Sequence, residues 1–328
     1  MIKNQWYVIL RSKELKKGKT LGVLRMGERM VLWRDTQGKA VCQADLCPHR
    51  FAALSIGCLT GDTIQCPFHG FEYDRNGSCT YVPANGRSAE VPKNLHVQTY
   101  PCREAHGYIY IWWGEPRSEY PSLPWFEDLD NSFTTSDYQA HWPVQYSRAI
   151  ENQLDVFHLA FVHATTIGRG NRTIADGPLT TIDEKSLEIW VYNRVDDGNS
   201  TAKRPGELPK PTRPPFLKFQ FPHHWMNRIS EDMRITVFFT PVDDENTLMY
   251  LRYYQRFVRL PLLRQLVAFL INVSSIVILN QDKRVVISQR PKKSGLRIGE
   301  KPIPADKPII EYRSMREKLQ KAAGQEID

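Results

Sequence analysis

Two short motifs, each with one cysteine and one histidine, constrain this chain of 328 residues most strongly. Cys47 and His49 belong to Cys-Pro-His-Arg, and Cys66 and His69 belong to Cys-Pro-Phe-His-Gly. A proline fixes φ within each motif, and Gly70 permits a backbone conformation that a side chain would hinder. We therefore expect two stiff loops that hold the four side chains around one metal centre.

The alternation of thiolate and imidazole indicates which centre this is. In a Rieske [2Fe–2S] cluster, two cysteines bind one iron and two histidines replace the cysteines on the other. Each loop of this chain offers one ligand of each kind. Zinc is the main alternative, but zinc sites of this composition usually have Cys-x-x-Cys followed by a separate pair of histidines. The order of the ligands favours the Rieske cluster.

Composition and charge suit a soluble protein of two domains. The chain has 41% hydrophobic and 24% charged residues and a net charge of +8. No segment combines a dense run of Lys and Arg with stacking aromatics, so we expect no nucleic-acid partner, and instead a solvated surface or an acidic redox partner. The N-terminus lacks a secretory signal, which predicts a cytoplasmic protein whose remaining cysteines are free thiols. Cys58 and Cys79 bracket the second loop and could bridge, so the sequence leaves open whether these two pair.

Two domains are expected from the distribution of strand and helix patterns. Residues 1–118 contain short strand-like runs and turns without a helical period, which predicts an all-β domain carrying the cluster. Residues 115–124 hold three prolines and mark the linker. Residues 119–328 mix strand-like runs with helical stretches near 147–163 and 260–290, which predicts an α+β domain with an antiparallel sheet.

Two segments of the second domain have less obvious roles. Residues 196–215 are rich in Gly, Asn, Ser, Lys and Pro, and we expect a mobile loop there, because loops of this length are often lids or disordered. Residues 260–279 form the most apolar stretch and are of borderline length for a bilayer. Since Pro261 suits the start of a helix and charged residues follow the stretch, we predict a buried helix rather than a membrane contact.

A second set of polar residues suggests another metal site. Asn152, Asp155 and His158 recur at i, i+3 and i+6 among apolar residues, and His163 follows. Five residues on a helix turn by about 140°, so both histidines can face one metal only if the helix ends or distorts between them. Two histidines and a carboxylate form the facial triad of Fe(II) oxygenases, although catalytic zinc uses the same donors. Because a hydrolase needs no electrons, the Rieske motif favours the oxygenase.

With these motifs together, the chain resembles the catalytic α-subunit of a Rieske non-haem iron oxygenase over nearly its whole length. The motifs that carry the resemblance are Cys47-x-His49, Cys66-x-x-His69, Tyr73-Asp74-x-x-Gly77 and Asn152-x-x-Asp155-x-x-His158-x-x-x-x-His163. The resemblance implies a catalytic domain with a helix-grip (START-like) fold, in which a curved antiparallel sheet surrounds a long helix. It also implies head-to-tail homotrimers.

The same resemblance implies which residues hold the second metal. His158 and His163 would bind a mononuclear Fe(II), and the third ligand would be a late aspartate on a helix, for which Asp282 is the match. Without the family, Asp282 would be interpreted as an ordinary exposed charge. If Asp282 is not the ligand, Glu151 and Asp176 are the next candidates.

Asn152 and Asp155 are the expected catalytic residues outside the ligand set. By the resemblance, Asp155 is a buried carboxylate that links the iron site of one subunit to the Rieske ligand His69 of its neighbour. The Rieske domain of one subunit would therefore reduce the iron of the next, because the two centres of a single chain are too far apart.

The function implied is O2-dependent monooxygenation, by hydroxylation or oxidative demethylation, of an apolar or aromatic small molecule. The chain has neither the nucleotide fingerprint nor the cysteine run of plant-type ferredoxins, so electrons should come from a separate NAD(P)H-linked reductase, directly or through a ferredoxin. Ring cis-dihydroxylation is the alternative reaction. A Rieske electron carrier is the alternative class, disfavoured because a carrier needs no facial triad.

The sequence does not identify the substrate. Apolar side chains that could line a pocket are Phe161, Ile167, Trp190, Phe221, Trp225 and Phe239. Aromatic residues in such a domain are more often core than pocket. Arg169 and Arg172 could recognise a substrate carboxylate, but we expect them to be solvated surface residues.

Overall fold

The computed structural model of the protein describes residues 1–258 and 260–327, with the side chains of residues 261, 262 and 272 left out. The chain folds into two compact units, one of which covers Lys3–Pro121 while the other begins at Ser122.

The first unit is built from short antiparallel strands. They are β1 (Gln5–Arg11), β2 (Leu21–Arg25), β3 (Glu28–Arg34), β4 (Ala40–Ala44), β5 (Cys58–Thr60), β6 (Thr63–Gln65), β7 (Glu72–Asp74), β8 (Cys79–Tyr81), β9 (Thr99–Tyr100), β10 (Cys102–Ala105) and β11 (Tyr108–Trp113). The sheet orders are β1-β11-β10, β2-β3-β4-β9 and β5-β6-β7-β8. Every residue of this unit is described, and its only helical segments are three-residue 3-10 turns. The predicted all-β domain is confirmed.

The aromatic and isoleucine-rich strand β11 is central to this unit. It pairs with β1 on one side and β10 on the other, and its first five residues are almost completely buried. A second apolar cluster contains Trp33, Ile64 and Tyr73 together with Cys47 and Cys66. The ligand loops are therefore supported by the core of the domain. Cys58 and Cys79 do not form a disulfide.

The second unit contains one large antiparallel sheet. Its strands are β12 (Thr134–Trp142), β13 (Ile174–Ile182), β14 (Ser186–Arg194), β15 (Leu217–Gln220), β16 (His224–Ser230), β17 (Met233–Pro241) and β18 (Thr247–Gln255), in the order β12-β18-β17-β16-β15-β14-β13. The helices are α1 (Tyr146–Leu154), α2 (Leu159–Val162), α3 (Pro261–Val286) and α4 (Lys307–Ala322). Helix α1 contacts β17, α3 and α4, while α4 contacts β13 and β14. The predicted α+β domain with an antiparallel sheet is confirmed.

The prediction that residues 260–279 form a buried helix is wrong in one respect. The helix exists, but Leu266, Phe269 and Leu270 have 53%, 62% and 52% of their surfaces exposed. Leu263–Val286 is long and apolar enough to cross a bilayer, with a mean hydropathy of 1.6 and only 12% of the stretch buried. Hydropathy shows that a segment avoids water but does not show what covers it.

Candidate metal centres and catalytic cleft

The four side chains of the cluster motif lie on two loops of the first unit. Cys47 follows β4, and Cys66 and His69 lie between β6 and β7. Only 1% of Cys47 and 3% of Cys66 is exposed, whereas both histidines are exposed. The ring centroids of His49 and His69 are 4.7 Å apart. The loops thus bring together the two thiols and two imidazoles that a cluster of mixed ligation needs, with the thiols inside and the imidazoles at the surface.

Each loop is closed by its own backbone. The N–H of Phe51 donates to the carbonyl of Cys47 at 2.8 Å, and the N–H of Gly70 donates to the carbonyl of Cys66 at 3.0 Å. Phe51 and Gly70 occupy equivalent positions and both have positive φ, of 61° and 71°. A Cβ at Gly70 would also lie 3.0 Å from Pro83. The close approach to Pro83 favours glycine in the second loop, whereas Phe51 adopts the same backbone conformation in the first. Both loops are closed by local hydrogen bonds.

The environment of the four side chains affects their protonation. Buried thiols resist ionisation, and bound iron would supply the positive charge that stabilises the thiolates. Burial, together with the neighbouring thiol of Cys47, raises the pKa of Cys66. The hydroxyl of Tyr73 lies 3.2 Å from Sγ of Cys47. Desolvation and the neighbouring His49 lower the pKa of His69, which favours the neutral imidazole that binds metal. The donor set therefore fits a Rieske cluster.

His158, His163 and Asp282 come together in the second unit. One donor atom of each lies within 4.8 Å of the others. Oδ1 of Asp282 is 3.0 Å from Nε2 of His163 and 3.5 Å from Nε2 of His158. His163 and Asp282 are buried and His158 is half-buried. Asp282, which only the family resemblance suggested, thus lies next to both histidines of the sequence motif.

The helical stretch that carries His158 and His163 is interrupted, as the spacing of the two histidines predicts. Helix α1 ends one residue before Asp155, whose Oδ1 accepts hydrogen bonds from the N–H groups of Phe157 and His158 at 2.8 and 3.0 Å. Helix α2 then begins directly after His158 and ends directly before His163. The predicted helical stretch at 147–163 is therefore two helices, and the two histidines flank the second.

A glycine closes the turn behind His163. The N–H of Gly168 donates to the carbonyl of His163 at 2.9 Å. A Cβ at Gly168 would lie 1.8 Å from the carbonyl oxygen of Leu159, so no other residue fits this close approach.

The hydrogen bonds around His163 show that these three residues fit a cation. Oε1 of Gln281 accepts from the hydroxyl of Thr166 and lies 2.9 Å from Nδ1 of His163, so Nδ1 carries the proton. The lone pair of Nε2 then faces Oδ1 of Asp282. That oxygen is buried and has no hydrogen-bond partner among the described residues. Two facing lone pairs in a buried site need a positive charge between them, which either a metal ion or a proton on Nε2 supplies. Burial lowers the pKa of His163, but its hydrogen bonds to Asp282 and Gln281 raise that pKa overall, so the site favours positive charge at this position.

Asp155 lies beside this set rather than within it. Its Oδ1 is 3.4 Å from Nδ1 of His158, on the side of the ring away from Asp282. Burial opposes the ionisation of Asp155, but His158 and the two backbone N–H groups lower its pKa overall. Asn152 lies on α1, and its buried Nδ2 has no hydrogen-bond partner in the described part of the chain. Asn152, Asp155 and His158 border a small cleft of about 380 Å³.

Glu151 and Asp176, the alternative third ligands, are occupied elsewhere. Both carboxylate oxygens of Glu151 accept from Arg313 at 2.7 Å. Asp176 is paired with Arg194 at 2.9 Å. Neither carboxylate belongs to the group around His163. The buried pair of Glu151 and Arg313 instead ties α1 to α4.

A larger cleft of about 980 Å³ reaches His158 and Asp282. Of the six apolar residues suggested by the sequence, Ile167, Trp190 and Trp225 line it. Phe221 and Phe239 are buried without lining it, and Phe161 is 68% exposed. Arg169 and Arg172 also border this cleft, as do Arg213, Pro214 and Pro215 from the loop at 196–215.

Sequence reasoning missed the residues that support the triad. Gln281 and Thr166 set the tautomer of His163, and Arg313 fixes Glu151 on α1. Gln281 is adjacent to the predicted ligand Asp282, which is the only signal that could have suggested it. Nothing in the local sequence relates Arg313 to α1.

Comparison with known proteins decides the family. The Rieske [2Fe-2S] domain family matches residues 5–101, and the vanillate O-demethylase oxygenase C-terminal domain family matches residues 142–322, which is more than half of the chain. The chain belongs to the Rieske non-haem iron oxygenases. The predicted fold, the oxidoreductase class and the two cofactors, a Rieske [2Fe–2S] cluster and a mononuclear iron, are thereby confirmed.

Individual relatives of this Rieske oxygenase share about a third of their residues with it over the aligned regions. It is 35% identical over 221 residues to the oxygenase component of dicamba O-demethylase from Stenotrophomonas maltophilia, covering 66% of this chain and 60% of that protein. It is 33% identical over 210 residues to a putative toluene-4-sulfonate monooxygenase iron-sulfur subunit from Comamonas testosteroni, covering 62% of this chain and 59% of that protein. The chain thus spans about 60% of the length of these curated relatives.

Solved structures share the fold of this Rieske oxygenase over nearly the whole chain. The QL mutant of NdmA from Pseudomonas putida CBB5 with theobromine has a TM-score of 0.75 at 23% identity, covering 98% of this chain and 95% of that one. Dicamba monooxygenase bound to dicamba has a TM-score of 0.70 at 20% identity, covering 99% of both chains. At these identities the likeness concerns the fold alone.

Proposed function

We propose that this protein uses O2 and externally supplied electrons to monooxygenate an apolar or aromatic small molecule, by hydroxylation or oxidative demethylation. The observation that carries the proposal is the group of His158, His163 and Asp282, of which His158 and Asp282 line the same cleft as Trp190 and Trp225. The names of two relatives, an O-demethylase and a monooxygenase, favour monooxygenation over ring cis-dihydroxylation.

The side chains have distinct roles in this proposal. His158, His163 and Asp282 hold an Fe(II), which supplies O2 activation when bound because the facial triad leaves coordination positions open. Gln281 keeps the proton of His163 on Nδ1 and so keeps Nε2 available as a ligand. The aromatic walls orient the substrate and exclude water. Cys47, His49, Cys66 and His69 hold the Rieske cluster.

Electrons pass, in this proposal, between neighbouring subunits of a head-to-tail homotrimer. His69 is exposed at the surface of its own unit, where a neighbour can reach it. Asp155 contacts His158 and borders the small cleft beside Asn152, so its second oxygen can meet a histidine of the neighbour. A heterologous interface of this kind closes into a ring under threefold symmetry.

The electrons originate outside the chain. We propose a separate NAD(P)H-linked reductase, directly or through a ferredoxin, as the partner that reduces the Rieske cluster. The exposed His49, which is not assigned to the contact between subunits, offers that partner an approach to the cluster. The expectation of a cytoplasmic protein stays a prediction.

Turnover under ¹⁸O2 tests the reaction type. The protein is supplied with NADH, a reductase and a panel of aromatic and apolar compounds, and products are analysed by mass. Monooxygenation predicts one labelled oxygen per hydroxylated product, or formaldehyde release from a demethylated one. Two labelled oxygens on adjacent ring carbons would establish cis-dihydroxylation instead. A protein that exchanges electrons with the reductase but never consumes O2 with any compound would support the carrier.

A further inference from the structure

The face of helix α3 that points away from the domain is apolar. Ser275 and Leu279 are buried against the domain. The opposite face exposes between 41% and 62% of each of seven side chains, Leu263, Leu266, Phe269, Leu270, Val273, Ile276 and Val277. We call these seven residues the α3 stripe. A surface helix of a soluble protein normally carries polar residues on its outer face, so this stripe needs a partner that shields it from water.

The shape of the α3 stripe suits an interface rather than a bilayer crossing. At 100° per residue its members fall within an arc of about 140°, and they extend over about 21 Å of helix. A bilayer core is about 30 Å thick, so the stripe is too short to span it. The C-terminal end of the same helix is also held in the domain, where Asp282 joins the histidines. A helix of this kind can lie in one leaflet but cannot cross.

The charge around α3 indicates which partner covers it. Between residues 246 and 299 the sequence contains ten of the 44 Lys and Arg residues but one of the 36 Asp and Glu residues. That one is Asp282, which is 2% exposed. The remainder of the chain has 34 basic and 35 acidic residues. Three of the ten basic residues form ion pairs with acidic residues outside the segment, Arg252 with Asp137, Arg256 with Asp232 and Lys292 with Glu245. With these pairs taken into account, the segment that carries the stripe still has a positive excess.

This charge disfavours a twofold contact between two copies of the chain through the α3 stripe. In a twofold contact through the α3 stripe, the same basic segment would approach from both sides, and like charges would meet. Anionic lipid headgroups have the opposite charge, and each Lys or Arg near such a surface strengthens binding. An apolar stripe flanked by basic residues is the combination that interfacial helices use.

We propose that the α3 stripe inserts into one leaflet of an anionic lipid bilayer and holds the protein at the membrane surface. Because α3 carries Asp282 in its last turns, the domain with the large cleft is held there too. Apolar compounds concentrate in bilayers, so the enzyme would meet its substrate where that substrate accumulates.

Vesicle flotation tests this proposal without any use of turnover. The full-length protein is mixed with vesicles of phosphatidylcholine alone or of phosphatidylcholine with phosphatidylglycerol, and the floated fraction is measured. We expect flotation with the anionic vesicles and partial release by salt, because the headgroup attraction is screened. The double variant Phe269→Glu/Leu270→Glu should lower the partition coefficient by about tenfold or more.

Controls separate loss of lipid binding from loss of structure. Ile303→Glu places the same charge at another apolar side chain, which is 53% exposed and lies outside the stripe, and it should float like the wild type. Leu263→Gln/Leu266→Gln is a milder pair that should give an intermediate result. Each variant must retain the wild-type Rieske absorbance and iron content to be compared.

Three results would overturn the proposal. The wild type could stay unbound with both kinds of vesicle, or the double variant could float as well as the wild type. The third result is an oligomer that dissociates only in the double variant while no protein binds vesicles, which would show that a second copy covers the stripe.

Discussion

The two metal centres of this protein are constructed in opposite ways. The Rieske ligands all lie within residues 47–69, on two loops that are each closed by a backbone hydrogen bond. The iron triad combines the two ends of α2 with a residue of α3, far away in the sequence. The first centre therefore depends mainly on local geometry and the second on long-range packing. Substitutions remote from the iron should damage the second centre and spare the first.

The largest expected effect is from Asp282→Ala. Removal of this ligand should abolish turnover and lower the iron content from about three to about two per chain, with the Rieske absorbance and two acid-labile sulfides kept. Cys66→Ala should do the reverse and eliminate the absorbance. Metal analysis and visible spectra of both variants measure this. An Asp282→Ala protein with full iron and activity would mean that the third ligand lies elsewhere.

A remote substitution gives the next largest effect. Arg313→Met leaves the buried Glu151 with Arg148, 3.3 Å away, as its remaining cationic partner and also removes the pair between Arg313 and Glu300. We expect this to lower the free energy of unfolding by about 3 kcal/mol. The matched control, Lys318→Met, breaks an exposed pair with Glu184 and should cost no more than about 1 kcal/mol. Urea titrations followed by circular dichroism give both values, and visible absorbance reports the Rieske centre separately. Equal effects of the two variants would show that the buried pair does not stabilise the catalytic domain.

Asp155→Asn should slow the transfer of electrons between the two centres. The variant keeps the shape of the side chain but loses the charge that orients His158, so we expect reduced cluster to be oxidised about 10–100-fold more slowly after substrate and O2 are added. Stopped-flow absorbance measures the rate. Asp306→Asn is the control, because Asp306 borders the same small cleft without contacting His158. A wild-type rate in Asp155→Asn would exclude the bridge, and an active monomeric wild type would exclude the route between subunits.

The smallest effect should be confined to the first centre. Tyr73→Phe removes the hydroxyl that lies 3.2 Å from Sγ of Cys47. A hydrogen bond to the sulfur stabilises the reduced cluster, so its loss should lower the reduction potential by on the order of 60 mV. Redox titration measures this shift, and iron content should not change. Tyr81→Phe, in the same domain, should leave the potential as it is in the wild type.

Sequence reasoning succeeded where the constraint is local. The Cys and His spacing predicts two loops, and the structure shows both with equivalent backbone turns at Phe51 and Gly70. The spacing of His158 and His163 predicts that a helix must be interrupted, and α2 ends immediately before His163. The resemblance supplied Asp282, which has no local pattern of its own.

The prediction for α3 shows where such reasoning fails. An apolar helix in a soluble domain is usually core, but the α3 stripe faces outward. Periodicity does not distinguish a helix covered by its own domain from one covered by another surface. The concentration of positive charge in the same segment was visible in the sequence, yet it acquired a meaning only after the exposed face was known.

The sequence by itself determined the ligand types, the two loops and the class of each centre, because chemistry and short-range spacing set these properties. Only the tertiary structure decided that Asp282 meets His163, that Gln281 holds the proton of that histidine, and that Arg313 neutralises Glu151. Each of these pairs joins residues more than a hundred positions apart. Contacts at that separation follow from how helices and strands pack, and no local pattern encodes them.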